Sequence, residues 1–149
     1  MKRFVLSIVL SFALLAGAAA SVRCFHPRAV KAQSGCALGS LQGSFGVRGE
    51  GWVAAGGSSG QVALAQVGLA AIDGAGNMNL AITSTAGGQT SRQSFSYKVQ
   101  VNSDCTGSFT PAPGSDGGPA DFVIVNGGTQ LLYVVTGQSL TLSGVAIRQ

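Results

Sequence analysis

The side chains that could perform catalysis are few and scattered along this sequence. The only histidine, His26, stands beside Pro27 near the amino terminus, far from the strand-forming part of the chain. A Ser-His-Asp or Cys-His arrangement would require this histidine to dock into a site on the body of the protein. We therefore expect no nucleophile-histidine catalysis and name no catalytic residue.

The carboxylates do not form an acid-base pair either. Asp73 lies at an Asp-Gly turn and Asp116 lies in a glycine-rich loop, where aspartate commonly accepts hydrogen bonds from nearby backbone. Glu50 borders glycine, and Asp104 directly precedes Cys105 in a turn. No two of these acids share one strand face, so a glycosidase dyad has no support.

Metal, phosphate and nucleic-acid binding are not indicated. Three cysteines without a close pair, together with one histidine, lack the spacing of a tetrahedral zinc site. The glycine pairs lack the strand-loop-helix context of a phosphate cradle. The formal charge is +4, but from Cys36 onward four basic residues face five acidic ones, without a basic cluster interleaved with aromatics. We expect no metal, no cofactor and no nucleic-acid partner.

Four amphipathic residues could instead form a binding site. Tyr97, Tyr133 and Trp52 combine an apolar ring with a polar group, and Arg148 lies on the apolar face of the last predicted strand. If these side chains point into a barrel, they would line an apolar pocket with a few polar groups, the usual form of a small-molecule site. The alternative is an interior filled by side chains, with Arg148 at its solvent edge.

Short strands must position these residues. Alternating or continuous apolar runs are separated by turn signals, of which Asp73-Gly74 and Gly127-Gly128 between apolar runs are typical of hairpins. We expect Gln61–Ile72, apolar on both faces, to be covered on both, and Gly49–Gly60 to be a loop containing Trp52. The predicted strands are Leu38–Arg48, Gln61–Ile72, Met78–Thr85, Ser91–Val101, Thr106–Thr110, Ala120–Asn126, Thr129–Thr136 and Leu140–Arg148.

This pattern predicts an all-β fold for residues 36–149. An even number of antiparallel strands can remove its own edges by closing, so an antiparallel up-and-down barrel of about eight strands is favoured. A β-sandwich is the alternative. Most joins have hairpin length, and no long Greek-key crossover is visible, which favours the barrel.

The amino terminus predicts export. Two basic residues precede the uncharged run Phe4–Ala20, which ends in small residues, so residues 1–20 are predicted to be a cleaved signal peptide. The run is slightly short for a transmembrane anchor, and Arg23 before Cys24 opposes a lipoprotein. Residues 21–35 are predicted to be a flexible lead-in. We expect a secreted or periplasmic protein that is not membrane-bound after cleavage.

Cysteines in an oxidising compartment pair as disulfides, so three cysteines can form one disulfide within the chain and leave one cysteine over. A Cys36–Cys105 disulfide would close a loop of roughly 70 residues and contribute roughly 4 kcal/mol on the chain-entropy model. Cys24 would then be unpaired or would link two chains. The alternative, Cys24 with Cys36, closes a short loop that stabilises little and leaves Cys105 free.

Five segments together resemble a largely uncharacterised group of small exported bacterial proteins, which in turn resemble calycin or allene-oxide-cyclase-type barrels. The resemblance covers essentially the whole mature body and implies a fold more than a function. The lipocalin Gly-x-Trp signature is not matched, because Gly51-Trp52 follows the first predicted strand. The five segments are Cys36, Gly43-Ser44-Phe45-Gly46, Asp73-Gly74-Ala75-Gly76-Asn77, Asn102-Ser103-Asp104-Cys105-Thr106-Gly107 and Gly144-Val145-Ala146-Ile147-Arg148.

The sequence thus predicts non-catalytic binding of a small apolar ligand or of a surface partner. The alternative is an enzyme of cyclase or isomerase type, in which a shaped cavity holds a reactive substrate in one conformation. Such an enzyme would depend on Tyr97, Tyr133 or Arg148.

Overall fold

The structure, a computed structural model, describes residues 36–54, 60–137 and 140–149. Within these ranges eight antiparallel strands close into one barrel, in which each strand pairs with the next and β8 pairs with β1. The predicted signal peptide, 1–20, and lead-in, 21–35, lie outside the described residues. The strands are β1 Gly43–Ala54, β2 Gln61–Ile72, β3 Asn77–Ala86, β4 Gln89–Val101, β5 Thr106–Pro111, β6 Ala120–Val125, β7 Gln130–Val135 and β8 Leu140–Arg148.

The barrel confirms the predicted up-and-down architecture and excludes the sandwich.

The two predicted hairpin signals both lie at connections between antiparallel strands. Between β2 and β3, Asp73 Oδ1 accepts hydrogen bonds from the backbone N–H groups of Ala75, at 3.0 Å, and Asn77, at 2.7 Å. Between β6 and β7, the 3-10 turn Asn126–Gly128 contains two glycines with positive φ. Each connection is short, so neighbouring strands pair locally.

The first strand differs from its prediction as Leu38–Arg48. Leu38–Leu41 forms a 3-10 turn, and β1 is shifted along the chain so that it contains Trp52. The glycines that suggested a loop instead allow two strands to pack closely. A Cβ atom on Gly51 would lie 1.9 Å from the carbonyl oxygen of Thr141 in β8, a distance that no real side chain could occupy.

One end of the barrel, named here the plugged end, is closed by the 3-10 turn Leu38–Leu41. This turn approaches the β2–β3 connection at Gly76 and the β6–β7 connection at Gly128, and Leu41 is fully buried. The Cys36–Cys105 disulfide joins the segment just before this turn to the β4–β5 connection, with Cα atoms 5.0 Å apart. The predicted pairing of these two cysteines is therefore confirmed.

Aromatic side chains fill the barrel beside the plugged end. Phe45 is fully buried, and the rings of Phe109 and Phe122 are stacked with their centroids 4.4 Å apart. These residues occupy inward positions on β1, β5 and β6 and belong to one buried cluster. Ile124 and Leu131 complete this packed layer.

The outer face of β2 corrects one expectation. Gln61–Ile72 was expected to be covered on both faces, but the outward side chains of Val67 and Leu69 are 60% and 50% exposed. A single-layer barrel buries only its inner face, and in the described part of the chain no second layer covers the outside of β2.

No helix in the described ranges is long and apolar enough to cross a membrane.

Replacing both Cys36 and Cys105 with alanine should lower the free energy of unfolding by about 3–4 kcal/mol. The two residues are 69 positions apart, so their bond restricts a long segment of the unfolded chain. Urea denaturation without reductant measures the change. Cys24→Ser is the matched control, with an expected change within about 0.5 kcal/mol. An equal loss in the control would contradict the pairing.

Candidate functional site

A cavity of about 370 Å³ lies inside the barrel. It begins above the packed layer at Phe45 and Leu131 and extends to the opposite end, named here the loop end, where Val53, Ala86 and Gly118 contribute to its wall. The loop end carries the β1–β2, β3–β4, β5–β6 and β7–β8 connections. Most of the wall is aliphatic or aromatic, so the cavity is suited to an apolar molecule.

Small residues occupy several inward positions above the packed layer, and two of them, Ser84 and Ala86, line the cavity. Eight strands enclose a space that large side chains can fill or that one small ligand can occupy. Here the strand pairing places the small residues opposite one another, as with Gly49 and Gly144 on β1 and β8. The inward positions with small side chains in this region are Gly49, Gly51, Gly68, Ser84, Ala86 and Gly144.

Tyr133 lies across two of these glycines. A Cβ atom on Gly49 would lie 2.6 Å from the Tyr133 hydroxyl oxygen, and one on Gly144 would lie 2.5 Å from it. The hydroxyl donates a hydrogen bond to the Arg48 carbonyl oxygen, at 3.2 Å, and accepts one from Gln66 Nε2, at 3.4 Å. Both its donor and its acceptor capacity are therefore used within the protein.

Tyr97 lines the same cavity but is differently placed. The residue is only 7% exposed, and its ring lies edge-on to that of Phe109. Its hydroxyl oxygen lies against the backbone of Gly117, where an added Cβ atom would be 2.2 Å away. Within the described residues the hydroxyl has no hydrogen-bond partner, and its oxygen keeps some accessible surface. It is thus a buried donor that a ligand could use.

Burial raises the pKa of both tyrosines above the usual value. For Tyr97, the nearby phenol of Tyr133 raises the pKa further, whereas the hydrogen bond from Gln66 partly offsets the effect of burial on the pKa of Tyr133. Both groups therefore remain protonated well into the alkaline range. At neutral pH the cavity presents phenols and not phenolates.

One carboxylate is the only charged group among the described lining residues. Asp116 lies in the β5–β6 connection, at the loop end of the cavity, and is exposed to solvent. The described lining contains no lysine, arginine or histidine. The electrostatic character of the site is therefore neutral in its interior and negative at the loop end.

Trp52, predicted to line the cavity, lies on the outside of the barrel. On β1 the side chains of Phe45 and Val47 point inward, so the strand alternation turns Trp52 outward, where it is 51% exposed. It is absent from the cavity wall.

Arg148, also predicted to line the cavity, points inward but lies at the plugged end. Its guanidinium donates hydrogen bonds to the carbonyl oxygens of Gln42, at 2.5 Å, Ser40, at 2.5 Å, and Gly128, at 3.2 Å. Its Cζ atom is 4.8 Å from the centroid of the Phe45 ring. The side chain fastens the plug to the barrel and does not reach the cavity.

The turn aspartates behave as expected from their positions. Hydrogen bonds from the Asn77 side chain and backbone hold the pKa of Asp73 below its usual value, and those from Thr106 do the same for Asp104. Neither aspartate lines the cavity. In the described ranges, no group of three or more histidine, cysteine, aspartate or glutamate residues is arranged to hold a metal ion.

Sequence reasoning missed the polar lining of the cavity. Gln66, Ser84 and Gln93 face inward from β2, β3 and β4. Gln66 carried a usable signal, because a glutamine at an inward position of an otherwise apolar strand must find a partner inside. Ser84 and Gln93 lie in polar stretches and gave no such signal.

Comparison with known protein families and with curated proteins finds no match to this chain. The geometry of the cavity therefore carries the functional argument.

Replacing Arg148 with methionine should lower the free energy of unfolding by about 2–4 kcal/mol, because three carbonyl groups at the plug lose a charged donor. Urea denaturation measures the change. Arg92→Met, at an exposed position on β4, is the control and should change stability by less than about 0.5 kcal/mol. Equal small effects of both substitutions would show that Arg148 does not fasten the plug.

Tyrosinate absorbance should appear at higher pH in the folded protein than in urea, where the pKa is near 10. The chain has two tyrosines, so the signal reports the cavity directly. Because folding raises both pKa values, this contribution to stability is fully present below pH 10 and is lost as pH rises through the folded pKa values. Coincident folded and unfolded titration curves would contradict the burial of these groups.

Proposed function

We propose that this protein binds a small apolar ligand inside its barrel without transforming it. The observation that carries this proposal is the cavity of about 370 Å³ with an apolar wall. Ligand pockets typically range from about 300 to 1,000 Å³, and an engineered apolar cavity of about 150 Å³ already binds benzene.

The setting of this binding activity also forms part of the proposal. The closed eight-stranded barrel is compatible with the resemblance to calycin-like barrels. Disulfides persist mainly outside the cytoplasm, so the Cys36–Cys105 bond supports the predicted export to the periplasm or the medium. An exported binder would carry or sequester an apolar molecule that water dissolves poorly.

A cyclase or isomerase is the second candidate, and Tyr97 is the observation that favours it. A buried phenol facing a cavity can donate a hydrogen bond or a proton to a bound substrate. Such an enzyme would gain most of its rate from holding the substrate in one reactive conformation. We rank binding first, because binding needs only the cavity, whereas catalysis also needs a substrate whose reactive atom meets Tyr97.

Filling the cavity should abolish binding of an apolar fluorescent probe such as N-phenyl-1-naphthylamine. Ala86 lines the cavity near the loop end, so Ala86→Phe should weaken probe binding at least tenfold by occupying that space. Titration of the probe fluorescence measures the dissociation constant of each variant.

Thr85→Phe is the matched control, because Thr85 is the preceding residue on β3 and is exposed on the outer face. It should change the dissociation constant less than about twofold. Circular dichroism checks that both variants are folded. Equal weakening by both substitutions, or binding retained by both, would contradict binding inside the barrel.

A further inference from the structure

We propose that the cavity selects a neutral apolar molecule carrying a hydrogen-bond acceptor, such as a ketone or an ester, and that the Tyr97 hydroxyl donates to this acceptor. The inference rests on the proposed binding function and names the chemical class of the ligand. Apolar carboxylates of the same size are excluded from the site.

The hydroxyl of Tyr97 makes no hydrogen bond to the described residues. A buried tyrosine usually finds a hydrogen-bond partner, since an unmade hydrogen bond is costly away from water. Tyr97 is more than nine-tenths buried and lines the cavity, yet its hydroxyl has no partner among the described residues. The strand pairing fixes the residue opposite Met78 and Pro111, neither of which carries a polar side chain. Its donor is therefore open to a molecule in the cavity, either water or a ligand.

The other tyrosine of the cavity wall, Tyr133, differs from Tyr97 because its hydroxyl has hydrogen-bond partners within the protein. The Tyr133 hydroxyl already donates to the Arg48 carbonyl oxygen and accepts from Gln66. The Tyr133 hydroxyl is therefore already hydrogen-bonded and has no free donor for a ligand. Of the two phenols, only that of Tyr97 has its donor free for a bound molecule.

The direction of the hydrogen bond follows from the state of the phenol. A phenol is protonated at neutral pH, and burial, together with the neighbouring Tyr133, raises the pKa of Tyr97 further. A neutral phenol offers one O–H donor. A ligand with a carbonyl or ether oxygen satisfies this donor. A saturated hydrocarbon leaves this donor without a partner. A ligand with an acceptor should therefore bind more tightly than a hydrocarbon of the same size.

The charge of the wall excludes a carboxylate. An ionised carboxylate buried without a cationic partner is strongly unfavourable, and the described lining contains no lysine, arginine or histidine. The one charged group there is Asp116 at the loop end, which would repel an anion. A carboxylate whose head remained in solvent would therefore also meet a like charge.

The test compares three probes that share a carbon skeleton: butyrophenone, butylbenzene and 4-phenylbutyrate. Each displaces the naphthylamine dye from the wild-type protein and from Tyr97→Phe at pH 8. We expect butyrophenone to bind the wild type about three- to tenfold more tightly than the variant. Butylbenzene is the matched control and should bind both proteins within about twofold. The carboxylate should bind the wild type at least tenfold more weakly than the ketone.

The outcomes separate this inference from the proposed function. If ketone and hydrocarbon bind both proteins equally, the role of Tyr97 is overturned and binding inside the barrel stands. If 4-phenylbutyrate binds as tightly as the ketone, the restriction to neutral ligands is overturned. If no probe binds, the proposed function fails and the inference fails with it.

A second measurement needs no variant. In the wild-type complex the infrared carbonyl stretch of butyrophenone should lie at lower frequency than in an alkane solvent, because the oxygen accepts a hydrogen bond. An unshifted band would overturn the proposed contact even if Tyr97→Phe failed to fold.

Discussion

The pairing of β8 with β1 is the constraint on which the rest of this structure depends. Nine residue pairs, from Phe45–Arg148 to Val53–Leu140, join the last strand to the first. This pairing removes both sheet edges and, with eight strands, fixes an interior that side chains can fill or that one small ligand can occupy. It also fixes which residues face inward, because alternation along each strand cannot change once both neighbours are paired.

The two ends of the interior are filled differently. At the plugged end, Phe45, Phe109 and Phe122 fill the lumen, while the disulfide and Arg148 fasten the 3-10 turn across the opening. Towards the loop end the interior is hollow, and the wall of the cavity includes the small residues Ser84 and Ala86. The barrel thus combines a packed plugged end, which supplies stability, with a hollow part towards the loop end. The Tyr97 hydroxyl borders this hollow part and makes no hydrogen bond to the described residues.

Much of the fold could be predicted from the sequence, because its signals are local. Hairpin turns such as Asp73-Gly74 and the alternation of β4 required no knowledge of distant residues, and Cys36 was assigned to Cys105 by comparing loop lengths. The site was harder, since it depends on relations across the sheet. The alternation of the last strand places Arg148 on its apolar face, but the height of Arg148 along the barrel axis follows from the pairing with Phe45.

The position of Trp52 also depends on pairing between strands and was not predictable from local sequence signals. Its glycine-rich surroundings suggested a loop, whereas close strand packing against β8 requires those glycines within β1. Once β1 is extended, alternation places the indole outside. The cavity itself could not be predicted, because it depends on how the side chains of several strands meet inside the barrel.

The claim that the upper barrel is hollow and accepts an apolar molecule is tested most directly by crystallography with a heavy-atom probe. Crystals soaked with bromobenzene should show an anomalous bromine peak inside the barrel, between Tyr97, Ile82 and Leu142, which line the cavity. Density for side chains filling that space, with bromine only on the outer surface, would contradict the account.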